Sequence, residues 1–364
     1  MKVGLIMRPN ILMLGPSLDS QGGIASVALE LVNNDKLLSG CDISYLPTTA
    51  DGSKLKKAVT CLGSLVRFAN DVNRCDIVHA HFSYGVSMKR KMIFAKLAKL
   101  KNKKVIFHCH SSEIVAIADR GDKQEIDAVN RFFELADSVI VMSSSWVSFF
   151  TDRFGVAPQL MNVVPNGIRD VERVQFGKDS PMLTFLFVGR IERDKGIDLL
   201  IDAASMAAAK LEGRKRVKII LAGTGSDEDV RKYSDKASEL GVDCDFVGWA
   251  DEERKQSLYQ LADVFVLPSR REVFPVSILE AMRAGLPCIA SDCGSIPDII
   301  DDGDTGWLFP VEDTHRLAEM MVSLSDYPLR KRMGDNSRFR FEELFTSDDM
   351  ADALIDVYER LCNE

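Results

Sequence analysis

Residues 269–291 read SRREVFPVSILEAMRAGLPCIAS. The stretch predicts the end of a strand, a loop, one short helix and a second strand. Glu272 falls in the loop and Glu280 inside the helix. Pro275 stands where the first helical turn accepts a residue without an N–H, and Gly285 with Pro287 closes the helix. Val276, Ile278, Leu279 and Met282 make an apolar face, so the helix packs inward. A helix N-terminus with free N–H groups attracts anions. Two carboxylates beside such a terminus suit a ligand with both an anionic part and hydroxyl groups, as a sugar nucleotide has.

The same alternation extends outward from this stretch. Upstream, strands are predicted at 183–188, 217–221, 245–247 and 264–267, with helices at 194–210, 228–240 and 252–262. Downstream, 314–323, 329–344 and 347–362 read as helices. Earlier in the chain, strands at 11–14, 41–46, 76–79, 104–108, 138–142 and 161–164 alternate with helices at 55–70, 87–100, 127–136 and 144–149. A glycine-bearing loop, GPSLDSQGG, follows the first strand. Strand–helix alternation with short connections predicts parallel, doubly wound α/β sheets. The charged, aperiodic segment around 169–181 interrupts the pattern and reads as a linker. The expected division is a Rossmann-like domain over 1–170, a linker over 171–182, a second Rossmann-like domain over 183–345, and a terminal helical segment over 346–364. Two such domains are expected to face each other across a cleft, with ligands at the carboxyl ends of the strands.

The chain has 364 residues, enough for two cores, and its 46% hydrophobic content is ordinary for a globular protein. Its net charge of −8 conceals an asymmetry. Residues 1–170 carry 21 lysines and arginines against 16 acids; the remainder carries 25 against 38. The eight cysteines show no C-x-x-C and no zinc spacing, and read as reduced thiols in a cytoplasmic protein. The opening MKVGLIMRPNILMLGP is not read as a signal peptide, because Arg8-Pro9 interrupts a short apolar run. No apolar run approaches a membrane span.

The remaining motifs fall at strand ends. VGRIERDKG, residues 188–196, puts Arg190 and Lys195 after one strand, where Arg forks onto phosphate oxygens and Lys acts as a compact charge. Two solvated basic residues in a loop is the plainer reading. Gly22 and Gly23 permit close backbone approach to an anion, although a ligand-free turn explains them equally well. In HCHSSE, His108 and His110 share a strand face while Cys109 points away. That pair is compatible with a metal, but no third ligand is evident, and a hydrogen-bonded core histidine is the alternative. His79 and His81, in HAHFSYG, carry less weight. Asp243/Asp245 and Asp302/Asp304 form D-x-D pairs that read as solvated acidic turns, so no metal is expected. Residues 89–104, from Lys89 to Lys104, carry eight basic residues and no acid, with Met92, Ile93, Leu97 and Leu100 at helical spacing. Such a helix suits an anionic membrane surface; the competing reading packs its apolar residues on the sheet. Nucleic acid is not expected, since no recognition motif accompanies the charge.

Taken together, EVFPVSILE, EAMRAGLPCIAS and VGRIERDKG, supported by LAGTGSDE, FVGW, VPNGI, GGIASV and His110, resemble the retaining glycosyltransferases of family 4, which have the GT-B fold. The resemblance covers nearly the whole chain and implies that the helix at 347–362 crosses back to the first domain. It implies that Glu280 binds the ribose hydroxyls of the donor and Glu272 the donor sugar. Phe274, Pro275 and Val276 would line sugar and diphosphate with backbone groups, and Arg190 and Lys195 would hold the leaving diphosphate. Gly22 and Gly23 would contact the same diphosphate. Gly223 and the segment with Val247 and Gly248 would border the nucleobase, and His110 would reach the donor sugar. The common family form after the first glutamate is Gly-Phe-Gly. Here it is Val273-Phe274-Pro275, which narrows the loop and removes one N–H.

The resemblance therefore implies a metal-independent hexosyltransferase that acts with retention. It would use a nucleoside diphosphate sugar, UDP-linked by preference, and no cofactor. The basic helix, with no secretion signal read in the sequence, suggests a lipid-linked saccharide acceptor, in surface polysaccharide assembly at the inner face of the membrane. A second reading, a non-catalytic GT-B partner subunit, would be expected to lack Arg190, Lys195 or one glutamate, and all are present. A dinucleotide-dependent oxidoreductase would need G-x-G-x-x-G after a first strand, which the sequence lacks.

Overall fold

The computed structural model describes residues 8–20, 22–171 and 179–364. Most of the predicted linker, and the first seven residues of the N-terminal reading, lie outside the described residues. Two separate sheets form, each of six parallel strands. The first holds β1 (Asn10–Gly15), β2 (Asp42–Pro47), β3 (Ile77–Phe82), β4 (Lys104–Cys109), β5 (Ser138–Val141) and β6 (Met161–Val163), in the order β2-β1-β3-β4-β5-β6. The second holds β7 (Met182–Val188), β8 (Arg216–Ala222), β9 (Asp243–Gly248), β10 (Val264–Leu267), β11 (Cys288–Ser291) and β12 (Gly306–Phe309), in the order β12-β11-β10-β7-β8-β9. Interior strands β3, β5, β10 and β11 are buried along their whole length, while edge strands β2 and β9 alternate. Helices cover both faces of an interior parallel strand, so its residues run apolar without a break.

The chain divides into two compact units, one of Met1–Arg169 with Thr346–Glu364, the other of Asp170–Phe345. The predicted crossing back of the terminal helix is observed. Helix Ser347–Asn363 starts in a capping box between Thr346 and Asp349. The Ser347 N–H donates to the Ile168 carbonyl at 2.9 Å. Gly167 lies so close beneath that a Cβ there would sit 2.1 Å from the Thr346 carbonyl oxygen. Along the helix, Asp352 pairs with Lys36, Asp348 accepts from Asn34 at 2.9 Å, and Arg360 donates to Asn162.

Some elements differ from expectation. The helix predicted from 194 begins at Ile197, because Gly196 adopts φ +69° and ends a short 3-10 turn, Arg193–Lys195. Helix Glu113–Arg120 was not anticipated. Pro275 sits one residue before helix Val276–Arg283 as its N-cap, with extended backbone, and not in the first turn.

Candidate active site

In the second unit, β7 and β10 are neighbours although β8 and β9 separate them in sequence. The strand order reverses between them, and a crevice opens at the carboxyl ends of two such strands. The loops leaving β7 and β10 meet there. Gly196 makes this approach feasible: a Cβ would lie 2.0 Å from the Pro268 carbonyl oxygen. The Arg270 N–H donates to the Asp194 carbonyl at 2.7 Å, and its guanidinium grips both oxygens of Asp198 at 3.0 and 2.8 Å. Arg271 pairs with Asp194 at 2.7 Å. Held this way, Lys195 Nζ donates to Glu272 Oε1 at 2.6 Å, and Ser269 Oγ donates to the same oxygen at 2.8 Å. Glu272 is only 9% exposed. Behind it, Gly294 at φ +59° leaves room for the Glu272 carbonyl, and the Ser295 N–H donates to Val273.

Glu280 is buried on helix Val276–Arg283. Tyr259 donates to its Oε2 at 2.8 Å, and Lys255 donates to Oε1. Lys255 also pairs with Glu252 at 2.8 Å, which Arg283 reaches at 3.1 Å. Burial, and then the neighbouring Glu280, lifts the Tyr259 hydroxyl well above its usual range, so it stays a donor. Burial alone would lower Lys255; Glu280 and Glu252 outweigh it and raise the ammonium. The carboxylate is therefore oriented by two donors from helix Glu252–Leu261. Sequence reasoning missed Ser269, Lys255 and Tyr259.

The other predicted donor residues of this unit are placed as follows. Arg190 leaves β7 beside Lys195 as expected, but its side chain is 72% exposed and pairs with Glu192 at 2.9 Å. Of these two cations, Lys195 is the one on Glu272. Gly223, at φ +145°, is required by packing: a Cβ would sit 1.8 Å from the Gly189 carbonyl oxygen. Its N–H donates to Gly248 at 2.8 Å. The register between β8 and β9 shifts at Leu221/Ala222, which leaves Val247 without a partner residue and Gly248 opposite Ala222. Phe274 turns its ring onto Phe345, centroids 6.0 Å apart, and leaves its backbone to line the helix start with Pro275 and Val276.

In the first unit, Gly22 caps helix Gly23–Val32 at φ +132°. Open space surrounds both Gly22 and Gly23. His110 follows β4 as predicted, but it does not stand alone. His79, His81, His108 and His110 stack on one sheet face, with successive centroids 4.6, 4.8 and 4.3 Å apart. His81 Nδ1 meets His110 Nε2 at 2.9 Å, and His79 Nδ1 meets the Tyr358 hydroxyl at 2.6 Å. Burial lowers all four imidazoles, His79 and His110 to about 3. The expectation that the pair His108 and His110 has no third candidate ligand is thus corrected: His79 and His81 stand beside them. The arrangement fits a ligand set only in part. One nitrogen from each of His79, His81 and His108 lies within 4.8 Å of the others. Two nitrogens on a tetrahedral zinc at about 2.1 Å lie about 3.4 Å apart, and His79 Nε2 and His108 Nδ1, 3.3 Å apart, meet that spacing. Rings inclined by 19–29° run their in-plane lone pairs side by side.

The acidic pairs are engaged elsewhere. Lys218 holds Asp245 at 2.7 Å at the start of β9, and Asp302 accepts from the Leu308 N–H at 2.8 Å. Within the basic segment one lysine is not at the surface. Lys91 is 1% exposed and donates to Thr48 at 2.5 Å, and burial holds its ammonium well below the usual range. Ile93, Leu97 and Leu100, expected on the sheet side if the helix were ordinary, face solvent. Met88, Lys91, Phe94, Ala95 and Ala98 take the buried side of helix Val86–Leu100.

Known proteins resemble this chain in sequence and in fold. Residues 168–340 match the family described as glycosyl transferases group 1, and residues 42–172 match glycosyltransferase family 4. The chain belongs to this glycosyltransferase family and is a GT-B enzyme. It is 29% identical over 312 residues to the O-antigen chain mannosyltransferase C of Escherichia coli, covering 82% of this chain and 79% of that one. Among solved structures, sucrose-phosphate synthase of Thermosynechococcus elongatus superposes with a TM-score of 0.77 at 21% identity, covering 97% and 99% of the two chains. HepE of Anabaena in complex with UDP gives 0.76 at 17% identity, covering 96% and 99%. Among the described residues, no helix is long and apolar enough to cross a membrane.

Proposed function

We propose that the enzyme moves a hexose-type sugar from a UDP-linked donor to a lipid-linked saccharide acceptor, with retention, in surface polysaccharide assembly at an anionic membrane face. The observation that carries this reading is the Lys195–Glu272 pair, 2.6 Å apart at the switch point between β7 and β10. A cation for phosphate and a carboxylate for hydroxyls converge there beside a helix N-terminus. The name of the Escherichia coli relative supports the O-antigen type of acceptor, and the UDP bound to HepE supports the nucleotide.

In this reading Glu280 takes the ribose and Glu272 the sugar hydroxyls. Lys195, with Arg190 swinging from Glu192, stabilises charge on the departing diphosphate. Val247, Gly248 and Gly223 border the base, and Phe274 to Val276 offer backbone. The anomeric C–O bond to the diphosphate breaks, the acceptor oxygen bonds the same face, and its proton passes to the leaving diphosphate. Metal independence is favoured because Asp243, Asp245 and Asp302 are already committed to Lys218 and to the backbone.

A thermal-shift screen of UDP-, GDP- and ADP-sugars, with and without EDTA, tests the donor. A UDP-sugar should raise Tm most, by a few degrees at saturating concentration, and EDTA should leave both the shift and turnover unchanged. A shift confined to GDP- or ADP-sugars would refute the nucleotide assignment. Loss with EDTA, restored by a divalent ion, would refute metal independence.

A further inference from the structure

Helix Lys54–Asp71 is amphipathic in the wrong sense for a globular surface. Its buried residues are Ser64 and Phe68, whereas Leu55, Val59, Leu62 and Val66 are 74%, 60%, 65% and 69% exposed. Ala58 and Ala69 are exposed as well. At about 100° per residue these six positions fall within an arc of about 100°, on the side opposite Ser64 and Phe68. Lys56 and Arg67 lie off one edge of that arc and Lys54 off the other, Lys57 extends from the same helix, and no acid precedes Asp71 in it. The neighbouring helix Val86–Leu100, joined to it through Phe68 and Phe94 at 5.1 Å, exposes Val86, Ile93, Leu97 and Leu100 together with Lys89 and Lys96.

We infer that helix Lys54–Asp71 is a membrane-docking element that lays its Leu55–Val59–Leu62–Val66 stripe into an anionic lipid surface. Charge selects the occupant. A second copy packed stripe to stripe would bring the basic flanks of two identical helices together, while an anionic headgroup layer neutralises them. The inference deepens the proposal above, since a lipid-linked acceptor brings the enzyme to such a surface. It also moves the contact from 89–104 alone to an element on which the sequence had shown only a helical pattern.

Flotation with phosphatidylglycerol-containing vesicles and with phosphatidylcholine vesicles tests it, beside nucleoside diphosphate release measured on the same full-length proteins. The wild type should float with the anionic vesicles, at least about tenfold better than with phosphatidylcholine and less well as salt rises. Leu55→Asp with Leu62→Asp should cut flotation about tenfold or more, and Lys54→Glu, Lys56→Glu and Lys57→Glu together should do the same. Leu261→Asp, at an exposed apolar position of the other unit, should float as wild type. Circular dichroism and an unchanged donor-induced thermal shift establish that the variants fold. Unchanged flotation of the Leu55→Asp, Leu62→Asp protein would overturn the inference. So would a wild type that stays with neither vesicle, or a wild-type dimer that this double variant dissociates in light scattering. If flotation fails while diphosphate release persists, only the docking role falls; if the wild type floats but releases no diphosphate, the transferase proposal falls and the docking role stands.

Discussion

Lys195 and Ser269 both hold Oε1 of Glu272, the carboxylate proposed to take the sugar hydroxyls. Glu272→Gln keeps the shape but exchanges an acceptor oxygen for a donor and leaves Lys195 without its anion. Turnover should fall about 10²-fold while donor affinity changes only severalfold, as steady-state kinetics and calorimetry would show. Equal turnover would remove Glu272 from the chemistry. Tyr259→Phe deletes one brace of Glu280 and should cost about 1–2 kcal/mol of stability, with a matching loss of donor affinity. The glutamates were legible because both stand in one short stretch whose helix and loop signals are local. Tyr259 and Lys255 were not, since they lie 21 and 25 positions upstream on another helix and only the fold brings them to Glu280. Arg190 and Lys195 share the loop after β7, but sequence does not show which carboxylate each cation meets.

Elements carry the next layer of the site. The loops after β7 and β10 close only because position 196 is glycine, both in the left-handed region and against the Pro268 carbonyl. Gly196→Ala should destabilise the protein by at least about 2 kcal/mol and weaken donor binding with it, measurable by denaturant unfolding. A variant as stable as wild type would show that the loops have slack. The histidine stack makes a second prediction. His79, His81 and His108 are held neutral in the fold well below the usual 6.5, so the unfolded chain binds more protons as pH falls through 6.5. Stability is fully present above that pH and lost below it, by up to about 1.4 kcal/mol per pH unit for each ring. Tm should fall steeply between pH 6.5 and 5, and less so in His79→Gln. Alternation of strands was legible from apolar runs and turn residues. The stack was not: His81 and His108 meet only because β3 and β4 pair in that register. The exposed stripe of helix Lys54–Asp71 escaped for the opposite reason, because periodicity shows an apolar face without saying whether the protein covers it.

At the scale of the whole molecule, two doubly wound units and a terminal helix returning to the first were foreseeable from the alternation and the family resemblance. The excess of basic residues over acids in 1–170, and of acids over basic residues beyond it, acquires a meaning in the proposal. The first unit answers to an anionic surface, and the second concentrates the few cations it needs at β7 and β10. The central claim is that the Lys195–Glu272 site transfers a sugar from a nucleoside diphosphate. Its most direct test is nucleoside diphosphate release from a UDP-sugar in the presence of lipid-linked saccharide acceptors, followed for the wild type, Lys195→Ala and Glu272→Gln. The wild type should release the diphosphate in step with glycosylated product, and each variant should do so at about 10²-fold lower rate. Release at wild-type rate by both variants, or no release by the wild type from any UDP-, GDP- or ADP-sugar, would contradict it.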